Sequence, residues 1–287
     1  MKMMLVLLIL SLLMSVPALC ETSVWIAKTD SSITYIGGTI HMLRGSDRPF
    51  PPEFDRAYDA SDMIIFETDL AVLQSPEIQQ ELLAKAVYSD GRTLDKVLSA
   101  EAYKKLEEYC TENGIPLAMI NQYKPWAIVM TIIGMELQKM GANQEGIDLY
   151  YYGKASEDEK SMGGLEAVDE QVEILTSMGD GNESAFIVYN IDHMEKMEEM
   201  FDSLITAWRS GDEAILSDAF LEEAKKEFPK LFKTLFTDRN MSWLPKIEEY
   251  LLTPETEFVL VGTAHLVGEE GIITQLEKLG YEVEKLK

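Results

Sequence analysis

Apolar residues form short continuous runs near both ends of the chain and recur at helical spacing between them. The segment TSVWIAKTDSSITYIGGTIH holds two apolar runs joined by the polar turn KTDSS, which predicts a β-hairpin. PPEFDRAYDAS then predicts a helix, and DMIIFETDL a buried strand. Near the C-terminus, EFVLVGTAHL predicts a strand, EEGIITQLEKLG an amphipathic helix and YEVEKLK a last strand.

The region from about 76 to 251 has mostly helical periodicity, although GIDLYYYGKASEDEKSMGGLEAVDEQVEILTSM mixes short extended pieces with a helix from about Ala167. Its most apolar segment, KPWAIVMTIIGMELQKMG, carries Glu136 and Gln138, which favours a buried helix over a membrane span. The predicted fold is therefore α/β, with a central mixed or mostly parallel sheet built from the N- and C-terminal segments and a large helical insertion. Strand, helix and strand in succession near the N-terminus suggest a crossover unit with parallel pairing.

The first twenty residues, MKMMLVLLILSLLMSVPALC, have the layout of a secretory signal peptide. Their apolar run is shorter than the roughly 20 residues that a membrane-spanning helix needs. Cleavage after Cys20 would leave residues 21–287 as one domain, secreted or periplasmic, without a transmembrane anchor. A lipid anchor on Cys20 is the alternative, but Leu19 is bulkier than the residue that normally precedes a lipidated cysteine.

Net charge narrows the choice of partners. The chain has 50 acidic and 25 basic residues, a formal charge of −25, which repels phosphate backbones. No glycine-rich phosphate loop of the GxxxxGK[ST] or GxGxxG type occurs in the sequence. We therefore expect no nucleic-acid partner.

Two of the three histidines share the frame Gly-Thr-x-His, and both frames follow a predicted strand. They are His41 in YIGGTIH and His265 in VLVGTAH, while Glu67 follows the strand MIIF. Ligands bind at the carboxyl ends of strands in open α/β sheets, so these three side chains are candidates for one crevice. Two imidazoles and a carboxylate could hold zinc, manganese or cobalt with a position open for water.

The sequence also permits alternatives to this site. Each histidine could be a hydrogen-bonded structural residue, and Asp69 competes with Glu67 because it lies two residues further along the same strand face. Thr39 and Thr263, the threonines of the two frames, offer hydroxyl groups to a substrate. The third histidine, His193, follows a predicted helix N-cap and is expected to be exposed.

Further polar residues interrupt the helical stretches. FTDRNMSW contributes Arg239 and Asn240, and GGLEAVDEQ contributes Glu166 and Gln171. An arginine could hold a substrate carboxylate or stabilise an oxyanion. The alternatives are a surface salt bridge for Arg239 and an acid at a helix N-terminus for Glu166.

The chain resembles the TraB/GumN family, which includes the animal TIKI proteins and the bacterial protein PrgY. The resemblance runs from Trp25 to the C-terminus through YIGGTIH, SDMIIFETDL, GIDLYYYGKA, MGGLE, EQVEIL, AWRSGDEAIL, LFTDRNMSWLPKI and FVLVGTAHLVGEEGIITQLEKLGYEVEKL. It implies a fold shared with erythromycin-esterase-like and haem-binding ChaN-like proteins, and, from the TIKI members, metal-dependent proteolysis. The family's paired histidines fall on His41 and His265, and its acidic position on Glu67. Its other polar positions fall on Arg239, Asn240 and Glu166.

The leading functional hypothesis is a secreted metal-dependent hydrolase, most simply a peptidase acting on peptides or proteins. His41, His265 and Glu67 would hold the metal, and Arg239 would orient substrate or stabilise charge. Glu166, Asn240 and the two threonines would contribute to substrate binding. A metal-free esterase-like hydrolase with a histidine as general base is a variant. The competing class is a protein that sequesters a peptide, haem or other small ligand without turnover.

Overall fold

A computed structural model describes residues 22–30, 32–217 and 221–287. Its centre is a six-stranded sheet of order β6-β4-β7-β2-β1-β8, beside a two-stranded ribbon of β3 and β5. The strands are β1 (Val24–Lys28), β2 (Ile33–Thr39), β3 (Met42–Leu43), β4 (Met63–Phe66), β5 (Gln144–Glu145), β6 (Ser161–Gly164), β7 (Glu257–Gly262) and β8 (Glu282–Lys285). This is the α/β sheet that the sequence predicts.

Helices cover the sheet and fill the middle of the chain. In chain order they are α1 (Pro52–Ala60), α2 (Leu70–Leu73), α3 (Pro76–Lys85), α4 (Leu94–Val97), α5 (Ala100–Glu112), α6 (Leu117–Ile120), α7 (Pro125–Lys139), α8 (Ile147–Glu157), α9 (Val168–Thr176), α10 (Glu183–Met194), α11 (Met197–Ser210), α12 (Glu213–Ser217), α13 (Glu223–Glu227), α14 (Pro229–Phe232), α15 (Asp238–Tyr250) and α16 (Ile272–Lys278). A π-helical turn, Lys233–Thr237, joins α14 to α15. Within the described ranges, no helix is long and apolar enough to span a membrane.

Four neighbouring strands of the sheet run parallel. β7 pairs in parallel with β2 on one side and with β4 on the other, and β6 pairs in parallel with β4. The predicted hairpin is confirmed, since β1 pairs antiparallel with β2. The predicted crossover from β2 through α1 to β4 does connect parallel strands, but β7, from the C-terminal segment, lies between them.

Five of the six sheet strands come from the two ends of the chain, as predicted, and the exception is β6. Its sequence SMGG lies inside the helical region and forms an edge of the sheet. Glycine lets this strand approach β4 closely: a Cβ on Gly163 would meet the Ile65 side chain at 2.9 Å. The edge strand brings Leu165 and Glu166 to the same end of the sheet as Glu67.

The buried apolar residues divide into two main clusters. One surrounds the sheet, with Trp25, Trp208 and Trp243 among its members. The other is built by α5, α7 and α10, and includes Leu106 and Ile128. Part of the helical insertion, the helices α5, α7 and α10, thus has an apolar core of its own, while α8, α11 and α15 pack into the core around the sheet.

His193 does not lie where the sequence suggested. It belongs to the last turn of α10 rather than to a helix start, and its side chain is half-buried. Nδ1 lies 2.7 Å from the carbonyl oxygen of Tyr189, and the two ring centroids lie 4.1 Å apart with the rings tilted by 35°. Its partners belong to the helical region, so it serves as a comparison for the other two histidines.

Candidate functional site

His41 stands just beyond the carboxyl end of β2, beside the first turn of α8. The amide N–H of Ile147 donates to the carbonyl oxygen of Ile40 at 3.1 Å, which anchors the helix start to this loop. Only glycine fits at position 146, since a Cβ there would lie 2.1 Å from that same oxygen. The close approach places Asp148 Oδ2 3.2 Å from His41 Nδ1.

The His41 imidazole is accessible and carries a carboxylate partner. Its side chain is 63% exposed although it faces into a cleft, and that of Asp148 is 16% exposed. Burial opposes the charged imidazolium, but the hydrogen bond and charge of Asp148, with the charge of Glu67, raise the pKa of His41 to about 9. Solvent access weakens this shift without changing its direction. With Nδ1 held by Asp148, Nε2 is the nitrogen left for chemistry.

His265 has the same sequence frame and a different environment. After β7 the chain curls into a 3₁₀ turn, Thr263–His265, and the imidazole is buried, with 4% of the residue exposed. Its Nδ1 lies 2.7 Å from Asn240 Oδ1, and its Nε2 lies 2.9 Å from Arg239 Nη1. A guanidinium can only donate, so Nε2 accepts and Nδ1 carries the proton.

The electrostatics of His265 agree with this neutral tautomer. Burial, together with the positive charges of Arg239 and His41, outweighs the attraction of Glu67 and lowers the pKa of His265 to about 3. Asn240 is fixed as well, because its Nδ2 donates to the carbonyl oxygens of His265 at 3.2 Å and Glu270 at 2.9 Å. His265 is therefore an uncharged acceptor at neutral pH.

Arg239 connects the polar residues of the site. Its Nε and Nη2 donate to the two Glu166 oxygens at 3.0 and 2.7 Å, and Nη2 also donates to Glu67 Oε2 at 2.7 Å. Nη1 donates to His265 and to the carbonyl oxygen of Leu235. All five N–H groups of a guanidinium are thereby directed at the protein. The π-helical turn before α15 sets the position of this arginine, and π-turns often occur at functional sites.

The two glutamates that accept hydrogen bonds from Arg239 have pKa values shifted in opposite directions. Burial raises the pKa of Glu166, against the opposing effects of Arg239 and of the Trp243 indole N–H, which donates at 3.0 Å. Burial acts in the same sense on Glu67, but His265, Arg239, His41 and the Gly262 N–H together lower its pKa to about 2. Because His265 is uncharged at neutral pH, Arg239, His41 and the Gly262 hydrogen bond keep Glu67 ionised there.

Glu67 and the two histidines converge on Gly262, the last residue of β7. A Cβ at this glycine would lie 3.2 Å from Glu67 Oε1, 3.6 Å from His265 Cδ2 and 3.8 Å from His41 Nε2. The predicted meeting of three strand ends is therefore present. Gly262 itself donates to Glu67 Oε1 at 2.7 Å.

The three converging side chains do not form a metal-ligand set in this arrangement. Both ring nitrogens of His265 are bonded, to Asn240 and Arg239, and both oxygens of Glu67 accept hydrogen bonds. No group of three or more histidine, cysteine or acidic side chains suited to a metal ion occurs in the described part of the chain. The donor types suit zinc, manganese or cobalt, so the metal stays a prediction that requires Arg239 to leave His265 Nε2.

The other residues that the sequence singled out lie around this site, and most of them make structural hydrogen bonds. Thr263 Oγ1 donates to the carbonyl oxygen of Thr39 at 2.9 Å and ties β2 to the turn after β7. Thr39 Oγ1 is buried and has no hydrogen-bond partner among the residues that the structure describes. Gln171 Nε2 donates to Glu67 Oε2 at 3.2 Å. Asp69 caps α2, accepting from Ala71 and Val72, and so takes no part in the cluster around Gly262.

A cavity of about 440 Å³ opens beside these groups. Its polar wall includes Thr39, His41, Glu67, Asp148 and Arg239. Its apolar wall comes from α2, α3, α9 and the π-helical turn, with Phe66 and α8 adding to it: Phe66, Leu70, Leu73, Leu82, Leu149, Val172, Ile174, Leu175, Met178 and Leu235. A concave, largely apolar space with a few convergent polar groups is typical of a small-ligand site.

Sequence reasoning missed Asp148, which lies in GIDLYYYGKA. The sequence contains only a weak indication of it: Gly146 stands just before the helix start, and a glycine there permits another backbone segment to approach closely. The missing information was which segment approaches Gly146, and that segment is Ile40 to His41.

Comparisons with known proteins agree with the resemblance. A family model described as the TraB/PrgY/gumN family matches residues 23–285. The uncharacterized protein YbaP of Shigella flexneri is 23% identical over 241 residues, which cover 82% of this chain and 84% of that protein. YbaP of Escherichia coli (strain K12) is 23% identical over 237 residues, covering 81% and 83%. No solved structure matches the chain significantly. With the family model spanning both Gly-Thr-x-His frames and nearly every described residue, the chain belongs to the TraB/PrgY/gumN family.

Proposed function

We propose that the chain is a hydrolase that cleaves an acyl bond, most simply a peptide bond, in a substrate bound in the cavity beside His41. The observation that carries this proposal is the His41–Asp148 pair at the polar wall, with an accessible imidazole whose Nδ1 is oriented by a carboxylate. A histidine oriented in this way is the usual base of acyl hydrolysis.

In the proposed reaction, Nε2 of neutral His41 takes a proton from a water molecule. The oxygen of that water attacks the substrate carbonyl, and the imidazolium then returns the proton to the leaving amine nitrogen. Asp148 stabilises the imidazolium that forms between the two transfers. Thr39 Oγ1, unpartnered and buried at the same wall, is available to hydrogen-bond the substrate.

Arg239, Glu67, Glu166, Asn240 and His265 act in this proposal as positioning residues. Their mutual hydrogen bonds hold the ends of β4, β6 and β7 in register around Gly262. The alternative, in which His41, His265 and Glu67 bind a divalent metal, would require the bond from Arg239 to His265 to break. Elemental analysis of the purified protein beside His41→Ala and His265→Ala variants tests it: metal bound by wild type and lost from both variants would support that alternative.

Peptide cleavage tests the hydrolase directly. Purified protein is incubated with a mixture of unstructured peptides, and products are identified by mass spectrometry. Loss of the base in His41→Ala is expected to reduce the rate by about 10²- to 10⁴-fold. His193→Ala, on α10, is the matched control and should cleave like wild type. Equal cleavage by wild type and His41→Ala would contradict the proposal.

A binding protein without turnover is the second candidate. The observation that favours it is that the N–H groups of Arg239 are all engaged by the protein, so this cation offers no free donor to a developing oxyanion. Intact peptide recovered from a stoichiometric complex would support it. A Soret band after haem addition would point to haem as the ligand.

The hydrolase is proposed to work outside the cytoplasm, either secreted or periplasmic. The support is the signal-peptide layout of residues 1–20, which lie outside the described residues. N-terminal sequencing of the mature protein tests this assignment. A start at residue 21 supports it, and a lipid-modified Cys20 would indicate an anchored form instead.

A further inference from the structure

The cavity is lined by polar groups at the strand ends of the sheet and by apolar side chains from both hydrophobic clusters. Thr39, His41 and Glu67 belong to the strand ends of the sheet. On the opposite side, Leu82 and Leu175 are half-buried and pack against the helical core. Half-buried apolar side chains that face a cavity gain stability when a ligand removes them from water.

The unpartnered atoms at the polar wall indicate which polar groups of a ligand would be complementary to the cavity. Thr39 Oγ1 and Asp148 Oδ1 are both buried, and within the described part of the chain neither has a hydrogen-bond partner. A carboxylate oxygen can only accept, so the complementary group on a ligand is an N–H or O–H donor. Asp148 lines the cavity, and leaving its Oδ1 unpaired is costly, so a small rotation of the carboxylate that brings this oxygen to a ligand donor is favoured.

Charge argues against anionic ligands. Glu67 and Asp148 line the polar wall and Glu166 lies behind it, against Arg239 and a protonated His41. The whole chain carries −25. An amide or amine donor is compatible with this field, and a carboxylate or phosphate is disfavoured.

We propose that this cavity is a specificity pocket for a large apolar side chain of an uncharged or cationic peptide, with Leu82, Leu175 and Met178 selecting that side chain and Asp148 Oδ1 accepting from a peptide N–H. The proposal rests on the proposed function insofar as it names the substrate of that hydrolase. Its volume of about 440 Å³ suits a side chain with its flanking backbone rather than a folded segment.

Fluorescence of N-phenyl-1-naphthylamine, a neutral apolar probe with one N–H, tests the pocket without catalysis. Wild type should enhance the fluorescence, and Leu82→Gln should weaken probe binding about tenfold. Leu83→Gln is the matched control, since Leu83 is the next residue of α3, is 67% exposed and does not line the cavity. Leu175→Trp, which fills the pocket instead of adding polarity, should also weaken binding, and circular dichroism confirms that each variant is folded.

Competition defines the ligand class. A blocked tripeptide with a central leucine should displace the probe, at concentrations about tenfold below those of a central glutamate peptide. Equal probe binding by the Leu82 and Leu83 variants, or equal displacement by leucine and glutamate peptides, would overturn the proposal.

The two proposals fail in different ways. If the probe binds and leucine peptides displace it but no peptide is cleaved, the specificity pocket stands and the hydrolase does not. If peptides are cleaved without preference for apolar residues, the hydrolase stands and the specificity pocket does not. His41→Ala should lose cleavage, and its probe binding should fall less than that of Leu82→Gln, because the apolar side chains are untouched.

Discussion

His41 and His265 share the frame Gly-Thr-x-His and come after adjacent parallel strands, yet they differ in nearly every physical property. The side chain of His41 is 63% exposed, and its pKa is raised by Asp148. Only 4% of His265 is exposed, its pKa is lowered by burial, and both of its nitrogens are bonded to the protein.

The difference arises from the path that the chain takes after each frame. After β2 the chain continues into β3, which pairs with β5 and leaves His41 at the cavity beside α8. After β7 it turns at once into a 3₁₀ helix that places His265 under α15, against the Trp243 ring at 4.5 Å. A repeated motif therefore indicates a shared location, while the chemistry of each copy depends on the elements that cover it.

Of the substitutions considered, Arg239→Ala should lower the free energy of unfolding most, because Arg239 lies in the buried part of the site around His265. Arg239→Ala leaves Glu67 and Glu166 facing each other without their cation, and loss of one partner of a buried ion pair costs about 3–5 kcal/mol. Urea unfolding measures this as a lowered midpoint. Arg92→Ala removes an arginine that pairs with Asp90 at the surface. That variant should unfold within about 0.5 kcal/mol of wild type. Similar losses in the two variants would contradict the role given to Arg239.

Substituting each of the two histidines by alanine measures how differently they contribute to the free energy of unfolding. His265→Ala leaves one N–H of Arg239 Nη1 and the Asn240 Oδ1 unpaired in the interior and should cost about 3 kcal/mol of unfolding free energy. His41→Ala removes an accessible side chain and should cost less than about 1 kcal/mol. Equal destabilisation in urea would show that the two environments are not as different as described.

Acid should act on His265 through its lowered pKa. Below pH 6.5 the unfolded chain binds a proton at this residue, whereas the folded chain does so only near pH 3. Stability conferred by neutral His265 is therefore complete above pH 6.5 and is lost as pH falls. Wild type should lose about 2 kcal/mol between pH 6.5 and 4.5, before most carboxylates titrate. A His265→Gln variant should be nearly flat over that window, and an equal slope in both proteins would contradict the assignment.

Asp148 should have the smallest effect, confined to the pH dependence of cleavage. The raised pKa of His41 means that its basic form appears only in the alkaline range, so activity should rise with pH towards about 9. Asp148→Asn removes the negative charge, lowers the pKa of His41 and should move the acid limb of the rate profile down by about one pH unit. An unmoved limb would show that Asp148 does not act on His41.

The sequence predicted where the site residues lie in the fold better than it predicted their burial and hydrogen-bond partners. Continuous apolar runs such as MIIF and EFVLV identify buried parallel strands. Glu67, His41 and His265 could therefore be placed together at the carboxyl ends of these strands from the sequence alone. β6 was expected only as one of several short extended pieces between 146 and 166 and was not assigned to the sheet, because SMGG lacks both an apolar run and alternation. Asp148 and the five donations of Arg239 depend on contacts between distant segments, which periodicity does not report.

The most direct test of the difference between the two histidines is nitrogen-15 NMR of the imidazole rings as a function of pH, because ring-nitrogen shifts report both tautomer and protonation. We expect His265 to remain a neutral Nδ1–H tautomer down to about pH 3. We expect His41 to stay protonated above the ordinary histidine range and to lose this behaviour in Asp148→Asn. Joint titration of both histidines near pH 6.5, or a shift of the nitrogens of both on adding stoichiometric zinc or manganese, would contradict these assignments.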